Sequence, residues 1–255
     1  MLLLAVFIYA KELEMARFTL EQFENFLKGV DLKSYREKYS KIKTVEMDLP
    51  RNIQALKTIY EQYWDNIDNC EEPLSFDEYY KVYWNTHEKE INEFWDKSGF
   101  GKDCDCFKKG LEARIYRTWA SLITQIQGGY VAETVFGKGN VEMSAELDHQ
   151  NIDILIKNDD GSERLKIQVK KETHRPEIAR MHKNVNNQNG AVDVYYVVPT
   201  DYDNPYYRQN GKGYKIGDEK PFVKDFAKWY PETATMDRLD NGFIIFTKNA
   251  FIGLE

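Results

Sequence analysis

Two short segments decide the fold: Asn151-Ile152-Asp153-Ile154-Leu155-Ile156 and Lys166-Ile167-Gln168-Val169-Lys170-Lys171. Both are typical of β-strands, because apolar residues alternate with polar ones or run together. Between them, Asn158-Asp159-Asp160-Gly161-Ser162 contains an Asp-Gly pair, which supplies the positive φ angles of tight turns. The pattern therefore predicts an antiparallel hairpin.

Such a hairpin would bring three polar side chains together. Asp153 stands at the start of the first strand, and Gln168 and Lys170 are two residues apart on the second, so these two share a face. Ile167 and Val169 would point into the core. A carboxylate, an amide oxygen and a lysine at one spot suit divalent-cation binding and activation of a water beside a phosphate. The alternative is an edge hairpin with a solvated polar face.

The composition bounds the class of protein. A chain of 255 residues can bury a large core, as one domain or as one domain with a helical extension. The net charge of −7 counts against a nucleic-acid-binding protein without excluding one. Between Arg164 and Lys183, seven Lys or Arg stand against two Glu, so basic charge concentrates around the candidate site.

The cysteines and the N-terminus favour a cytoplasmic protein. Cys70, Cys104 and Cys106 are too few for a disulfide framework, and the last two lack zinc-site spacing, so we expect them to be reduced. The apolar run of residues 1–10 is shorter than the roughly 20 residues that a membrane-spanning helix needs. No basic leader precedes them, which disfavours a secretory signal. An added helix, or an upstream start codon ahead of Met15, is the simpler interpretation.

Helical periodicity dominates the first half of the chain. Thr19 and Ser75 have the position and side chain of N-caps. Aromatic residues at helical spacing predict a packed core in preference to a base-stacking platform; they are Tyr60, Tyr63, Trp64, Tyr79, Tyr80, Tyr83, Trp84 and Trp95. A long helix is predicted from Phe107 to about Val135, which Gly128-Gly129 would bend or interrupt.

The second half alternates between strands and helices. Strands are predicted over residues 141–145, 152–156, 166–170, 192–198 and 242–247, the fourth of these as a central strand. A basic helix is predicted over 176–184 and an exposed loop over 202–218. This order is that of an α/β protein.

Asp153 followed by Gln168-x-Lys170 resembles the PD-(D/E)xK nuclease pattern, with glutamine in place of the second acid. Longer stretches resemble the TaqI-type family of type II restriction endonucleases. They are LKSYREKY at 32–39, IKTVEMDLP at 42–50, GLEARIYRTWAS at 110–121, ELD at 146–148, Asp153, and QVKKET at 168–173. Residues 1–10 and 202–240 lie outside the resemblance.

The resemblance implies a fold and an activity. The fold would be a PD-(D/E)xK nuclease core, a mixed sheet flanked by helices, over residues 106–255 with a loop insertion near 200–240. Residues 1–105 would be a helical region for DNA clasping or dimerisation. The activity would be Mg²⁺-dependent cleavage of double-stranded DNA at TCGA.

The resemblance also implies site residues. The essential acids of the family fall on Asp148 and Asp153, and its lysine on Lys170. Asp153, the Gln168 side chain and the Val169 carbonyl would ligate Mg²⁺. Lys170 would position or help deprotonate the attacking water and offset charge on the transition state.

Glutamine is a weaker ligand than a carboxylate, so a further acid is expected to supply the missing negative charge. Asp148 is one candidate and Glu112 on the long helix is another. For both, the alternative is an exposed or paired surface acid.

Base recognition must come from other residues. Side chains suited to purine edges in the major groove follow the catalytic strand: His174, Arg175, Arg180, His182, Lys183, Asn186, Asn187 and Gln188. A polar helix and loop is an equal interpretation of any one of them.

A self-complementary site implies a homodimer, and a restriction enzyme implies a cognate DNA methyltransferase. Two other functions stay open: a nuclease-fold protein that binds DNA without cutting, and a repair or structure-specific nuclease.

Overall fold

In the computed structural model the chain divides into two units. One comprises Met1–Val30 and Ser34–Ile123, and the other comprises Asp31–Lys33 and Thr124–Glu255. The residues that the structure describes are 17–39, 42, 45, 49–99, 105–172, 190–197 and 235–254. The predicted helix over 176–184, the predicted loop over 202–218 and the apolar residues 1–10 lie outside them.

The described residues form helices and a mixed sheet. The helices are α1 (Leu20–Gly29), α2 (Leu32–Tyr39), α3 (Ala55–Tyr63), α4 (Phe76–Lys97), α5 (Cys106–Phe136) and α6 (Ala145–Asp148), with 3-10 turns at Arg51–Ile53 and Lys248–Ala250. The strands are β1 (Val141–Glu142), β2 (Ile154–Lys157), β3 (Glu163–Glu172), β4 (Val192–Val197), β5 (Met236–Arg238) and β6 (Ile244–Phe246).

Two helices of the first unit begin at the predicted caps. The Thr19 side chain accepts a hydrogen bond from the Gln22 backbone N–H, and the Gln22 side chain in turn accepts one from the Thr19 N–H. Ser75 and Glu78 form the same reciprocal pair at the start of α4. Each capping box satisfies N–H groups that a helix start leaves unpaired, which is why both boundaries could be predicted.

Aromatic side chains fill the core of the first unit. Trp119 is fully buried, and its ring lies 5.3 Å from that of Phe76 and 6.3 Å from that of Tyr63, between centroids. Tyr79 and Tyr83 are also fully buried. The predicted packed core is therefore confirmed for Tyr63, Tyr79 and Tyr83, since a base-stacking platform would need exposed rings.

Helix α5 runs without interruption through Gly128-Gly129, so the predicted break is wrong. A Cβ atom at Gly128 would come within 2.9 Å of the Phe246 ring. Beside it, the buried Gln127 amide donates to the Phe246 carbonyl at 3.1 Å and accepts from the Phe246 N–H at 2.8 Å. Glycine here permits the close approach of β6.

The main sheet has the strand order β1-β2-β3-β4. The first three strands are antiparallel neighbours, and β4 runs parallel to β3. Among the described strands β4 is the last of this sheet, so they do not confirm the prediction of a central strand. The last predicted strand, over 242–247, is confirmed as β6, which pairs with β5 in a separate two-stranded sheet.

The predicted strand over 141–145 is too long. Strand β1 stops at Glu142, because Ser144 caps α6 by accepting a hydrogen bond from the Leu147 N–H and Ala145 is already helical. Ser144 is the kind of residue that marks a helix start, and the alternating apolar pattern concealed it.

Cys106 is disulfide-bonded, whereas Cys70 is free and half-buried. The expectation that all three cysteines are reduced is therefore wrong, because a chain with too few cysteines for a framework can still form one bridge. Among the described helices, none combines the length and the apolar character that crossing a membrane requires.

Candidate active site

The predicted hairpin is present, and it positions the polar residues as expected. Strand β2 pairs with β3 in the register Ile154↔Ile167, and the turn closes with a hydrogen bond from the Asn158 N–H to the Ser162 carbonyl. Ile167 and Val169 are buried. Because side chains alternate along a strand, Gln168 and Lys170 lie on the opposite face of β3.

Asp153 joins the ladder just before β2 begins. Its backbone N–H donates to the Ile167 carbonyl at 3.0 Å, and its Oδ2 accepts from the Val169 N–H at 2.6 Å. The carboxylate thus occupies the place where a backbone carbonyl would accept. Asp153 is 6% exposed, so the rotation of its side chain is restricted and its position beside Gln168 and Lys170 is defined.

A tight reversal after α6 brings Asp148 to the same place. The Ile152 N–H donates to the Leu147 carbonyl and the Asn151 N–H to the Asp148 carbonyl, the two bonds of a Schellman motif. Asn151 has a φ of 60°, the left-handed conformation that this motif needs and that asparagine tolerates. The chain turns back within five residues, so Asp148 and Asp153 face each other.

The two carboxyl groups disturb each other's ionisation. Burial raises the pKa of Asp153 to about 7, and the neighbouring Asp148 adds to this, while the Val169 N–H and Lys170 act in the opposite direction. Burial also raises the pKa of Asp148, which hydrogen-bonds to Asp153. Two acids this close, and largely withdrawn from water, resist being charged together. A bound cation would relieve the cost of ionising both.

Lys170 makes its hydrogen bond with an acid that the sequence analysis missed. Its Nζ lies 2.6 Å from Oδ2 of Asp193, and the side chains are only 11% and 17% exposed. Asp193 stands opposite Gln168 in the parallel register of β3 and β4. The signal in the sequence was a single carboxylate within an otherwise apolar strand, Val-Asp-Val-Tyr-Tyr-Val.

Glu112 belongs to the first unit, where it is a paired acid. It accepts hydrogen bonds from the Tyr39 hydroxyl at 2.7 Å and from Lys38 Nζ at 2.8 Å. These contacts match the alternative interpretation of Glu112 as a paired acid. The predicted base-reading residues lie outside the described part of the chain: His174, Arg175, Arg180, His182, Lys183, Asn186, Asn187 and Gln188.

The oxygen atoms at the site suit a hard divalent cation. In the ranges that the structure describes, no three His, Cys, Asp or Glu side chains come together as ligands. The set here contains two carboxylates, Asp148 and Asp153, with the Gln168 amide and the Val169 carbonyl as neutral oxygens. Carboxylate, amide and carbonyl oxygens are what Mg²⁺ and Ca²⁺ prefer, and the raised pKa values mark a pair that lacks positive charge.

Comparisons with known proteins point to one family. The profile of the TaqI restriction endonuclease family matches residues 20–255. The type II restriction enzyme TaqI of Thermus aquaticus is 34% identical over 242 residues, which cover 94% of this chain and 88% of that enzyme. A second type II restriction enzyme, from Thermus thermophilus, is 32% identical over 242 residues, again 94% of this chain and 88% of that enzyme. No solved structure matches this chain significantly.

Proposed function

Since this chain belongs to the TaqI restriction endonuclease family, we propose that it cleaves double-stranded DNA at TCGA with Mg²⁺, through Asp148, Asp153 and Lys170. Family membership and the named relatives make the chain a type II restriction endonuclease, which is a site-specific deoxyribonuclease. The metal, the recognition sequence and the roles of individual residues are the proposal.

One observation carries the assignment of the site. Two mutually perturbed carboxyl groups, Asp148 and Asp153, lie beside Lys170 on a hairpin. Strongly shifted pKa values caused by burial together with a specific charged partner are typical of active sites. The hairpin and the parallel strand β4 also agree with a PD-(D/E)xK core over residues 106–255, with Gln168 at the position of the second acid.

The residues divide the chemistry among them. Asp148 and Asp153 would hold the cation, with Gln168 and the Val169 carbonyl as further oxygen donors. When bound, a divalent cation offsets phosphate charge and acidifies water. Lys170 would orient the attacking water through its ammonium group and stabilise the negative charge that develops on the phosphate. The low exposure of Lys170 strengthens these interactions, because the surroundings screen them weakly.

Recognition of the DNA would involve the rest of the chain. Because TCGA is self-complementary and each strand needs a site, we propose a two-fold homodimer. Residues 174–188 would read bases, and the helical region 1–105 would clasp DNA or contribute to the dimer. A cognate methyltransferase would protect the same sequence in the cytoplasm.

Digestion of unmethylated plasmid DNA with purified protein and Mg²⁺ tests the proposal. We expect discrete fragments whose ends map to TCGA, and no cleavage in EDTA. Lys170→Ala should lower the cleavage rate by at least about 100-fold, a typical contribution of one group that acts on the transition state.

Glu163→Gln is a matched control for this experiment. Glu163 pairs with Lys166 at 2.8 Å on the same strand, β3, so its substitution removes an ion pair without touching the site. Full activity of Lys170→Ala would remove the lysine from the mechanism. Binding without cleavage by the parent protein would favour the non-cutting alternative, and fragments unrelated to TCGA would reject the proposed sequence.

A further inference from the structure

Lys170 lies between carboxyl groups on two sides but hydrogen-bonds to the one outside the proposed metal site. Its positive charge acts on Asp153, yet its Nζ lies 2.6 Å from Oδ2 of Asp193. Both side chains of this ion pair are largely buried. A short, largely buried ion pair restricts a long side chain that is otherwise flexible.

The charges explain why this choice of partner matters. If Asp148, Asp153 and Asp193 are all ionised, they and the Lys170 ammonium carry a net charge of −2, the complement of one divalent cation. Were Lys170 to pair with Asp153 instead, its ammonium would occupy a carboxylate that the cation needs. A lysine close to metal ligands therefore competes with the metal unless another acid holds it.

We propose that Asp193 is a positioning residue, which holds Lys170 away from Asp153 and so keeps the Asp148–Asp153 pair available to a divalent cation. This inference rests on the proposed function, since it presumes that these two acids bind the metal. Asp193 acts through Lys170 and does not itself touch the cation.

The position of Asp193 in the sheet supports this role. The parallel register puts Asp193 opposite Gln168 and Tyr195 opposite Lys170, so Lys170 reaches diagonally across to β4. Gln168 and Lys170 on β3 and Asp193 on β4 thus lie on the same face of the sheet. With glutamine in place of the second acid, position 168 offers Lys170 an amide and no carboxylate.

Binding of Mn²⁺ to the full-length protein without DNA, followed by the loss of the free-ion electron paramagnetic resonance signal, tests the inference independently of cleavage. Asp193→Asn keeps the size of the side chain and removes its charge. We expect Mn²⁺ to bind this variant roughly 10- to 100-fold more weakly, the range typical of substitutions just outside the ligand set of a metal site. Glu163→Gln, which breaks the other ion pair of β3, should bind Mn²⁺ as the parent does.

A double-mutant cycle separates action through Lys170 from direct binding. Lys170→Met should bind Mn²⁺ at least as tightly as the parent, and adding Asp193→Asn to it should change the affinity by less than about threefold. An equal loss in both backgrounds would overturn the inference and make Asp193 a ligand. Unchanged binding by Asp193→Asn would also overturn it.

The outcomes also distinguish this inference from the proposed function. If Asp148→Asn and Asp153→Asn bind Mn²⁺ as the parent does, the metal site itself is wrong. If only these two variants lose Mn²⁺ and Asp193→Asn retains it, the metal site stands and the role of Asp193 fails. Asp193→Ser provides the same comparison should the asparagine variant not fold.

Discussion

Oδ2 of Asp153 lies 2.6 Å from the backbone nitrogen of Val169, so a side-chain carboxylate completes the hydrogen-bond ladder between β2 and β3. The same residue is a proposed metal ligand. Oδ2 of the carboxyl group therefore belongs to the sheet, while the same carboxyl group also hydrogen-bonds to Asp148. Substitutions of Asp153 thus change both stability and activity, and the choice of replacement separates the two effects.

Asp153→Asn and Asp153→Ala should both abolish cleavage, but only alanine should weaken the fold. Asparagine retains an oxygen for the Val169 N–H, whereas alanine leaves that buried donor unpaired, at a cost of about 1–3 kcal/mol. Urea unfolding at pH 5.5 in EDTA checks this, because Asp153 is then largely neutral in the folded parent. Equal unfolding free energies for the two variants would show that the hydrogen bond contributes nothing.

The metal-free protein should lose stability as the pH rises. The pKa of Asp153 is about 7 in the folded chain against a reference of 3.8. Between these two pKa values the folded state binds more protons than the unfolded state. The stabilisation that Asp153 contributes to the folded state is therefore complete below about pH 4 and is lost as the pH rises through 7. Unfolding free energies measured from pH 4 to pH 8 in EDTA should fall across this window.

Asp153→Asn should flatten this pH dependence, whereas Glu163→Gln should keep the parent slope. Asparagine does not titrate, so this variant lacks the carboxyl group whose raised pKa sets the slope, whereas burial still raises the pKa of Asp148. An Asp153→Asn profile as steep as that of the parent would assign the pH dependence to other groups.

The left-handed conformation of Asn151 should be required for activity. Asn151→Gly can adopt the φ of 60° and should cleave DNA as the parent does. Asn151→Val should destabilise the protein by about 1–3 kcal/mol, because a β-branched residue is strained in this conformation. Cleavage rates and urea unfolding of the two variants provide the comparison, and normal activity of Asn151→Val would show that the reversal tolerates other geometries.

Gly128→Ala should destabilise the protein, because its Cβ would meet the Phe246 ring at 2.9 Å. Overpacking of this kind costs about 1–3 kcal/mol. Gly29→Ala is the matched control, since a Cβ there has no atom within 4 Å and alanine favours a helix. Thermal unfolding of both variants checks the prediction, which fails if the two substitutions have the same effect.

Local sequence signals were sufficient where local interactions determine the structure. The capping boxes at Thr19 and Ser75 and the turn before β3 each involve residues within a few positions of one another, so their patterns could be recognised. The strand pattern of the hairpin also predicted that Ile167 and Val169 are buried.

Signals failed where distant residues decide the outcome. Gly128 was expected to bend or interrupt α5, but the helix is not interrupted there, and Phe246, far along the chain, packs into the space that the missing side chain leaves. Asp193 was overlooked because its partner, Lys170, becomes apparent only when β4 pairs with β3. For the base-reading candidates after β3, the outcome stays a prediction.

The reversal from Leu147 to Ile152 has a consequence for how the chain length can vary. Its two closing hydrogen bonds join residues of one short loop, so an inserted or deleted residue would break the closure and separate Asp148 from Asp153. The turn from Asn158 to Ser162 is exposed and carries none of the proposed site residues. Insertions should therefore be tolerated at that turn and not between the two acids. The four-residue spacing between Asp148 and Asp153 is thus a fixed requirement of the site.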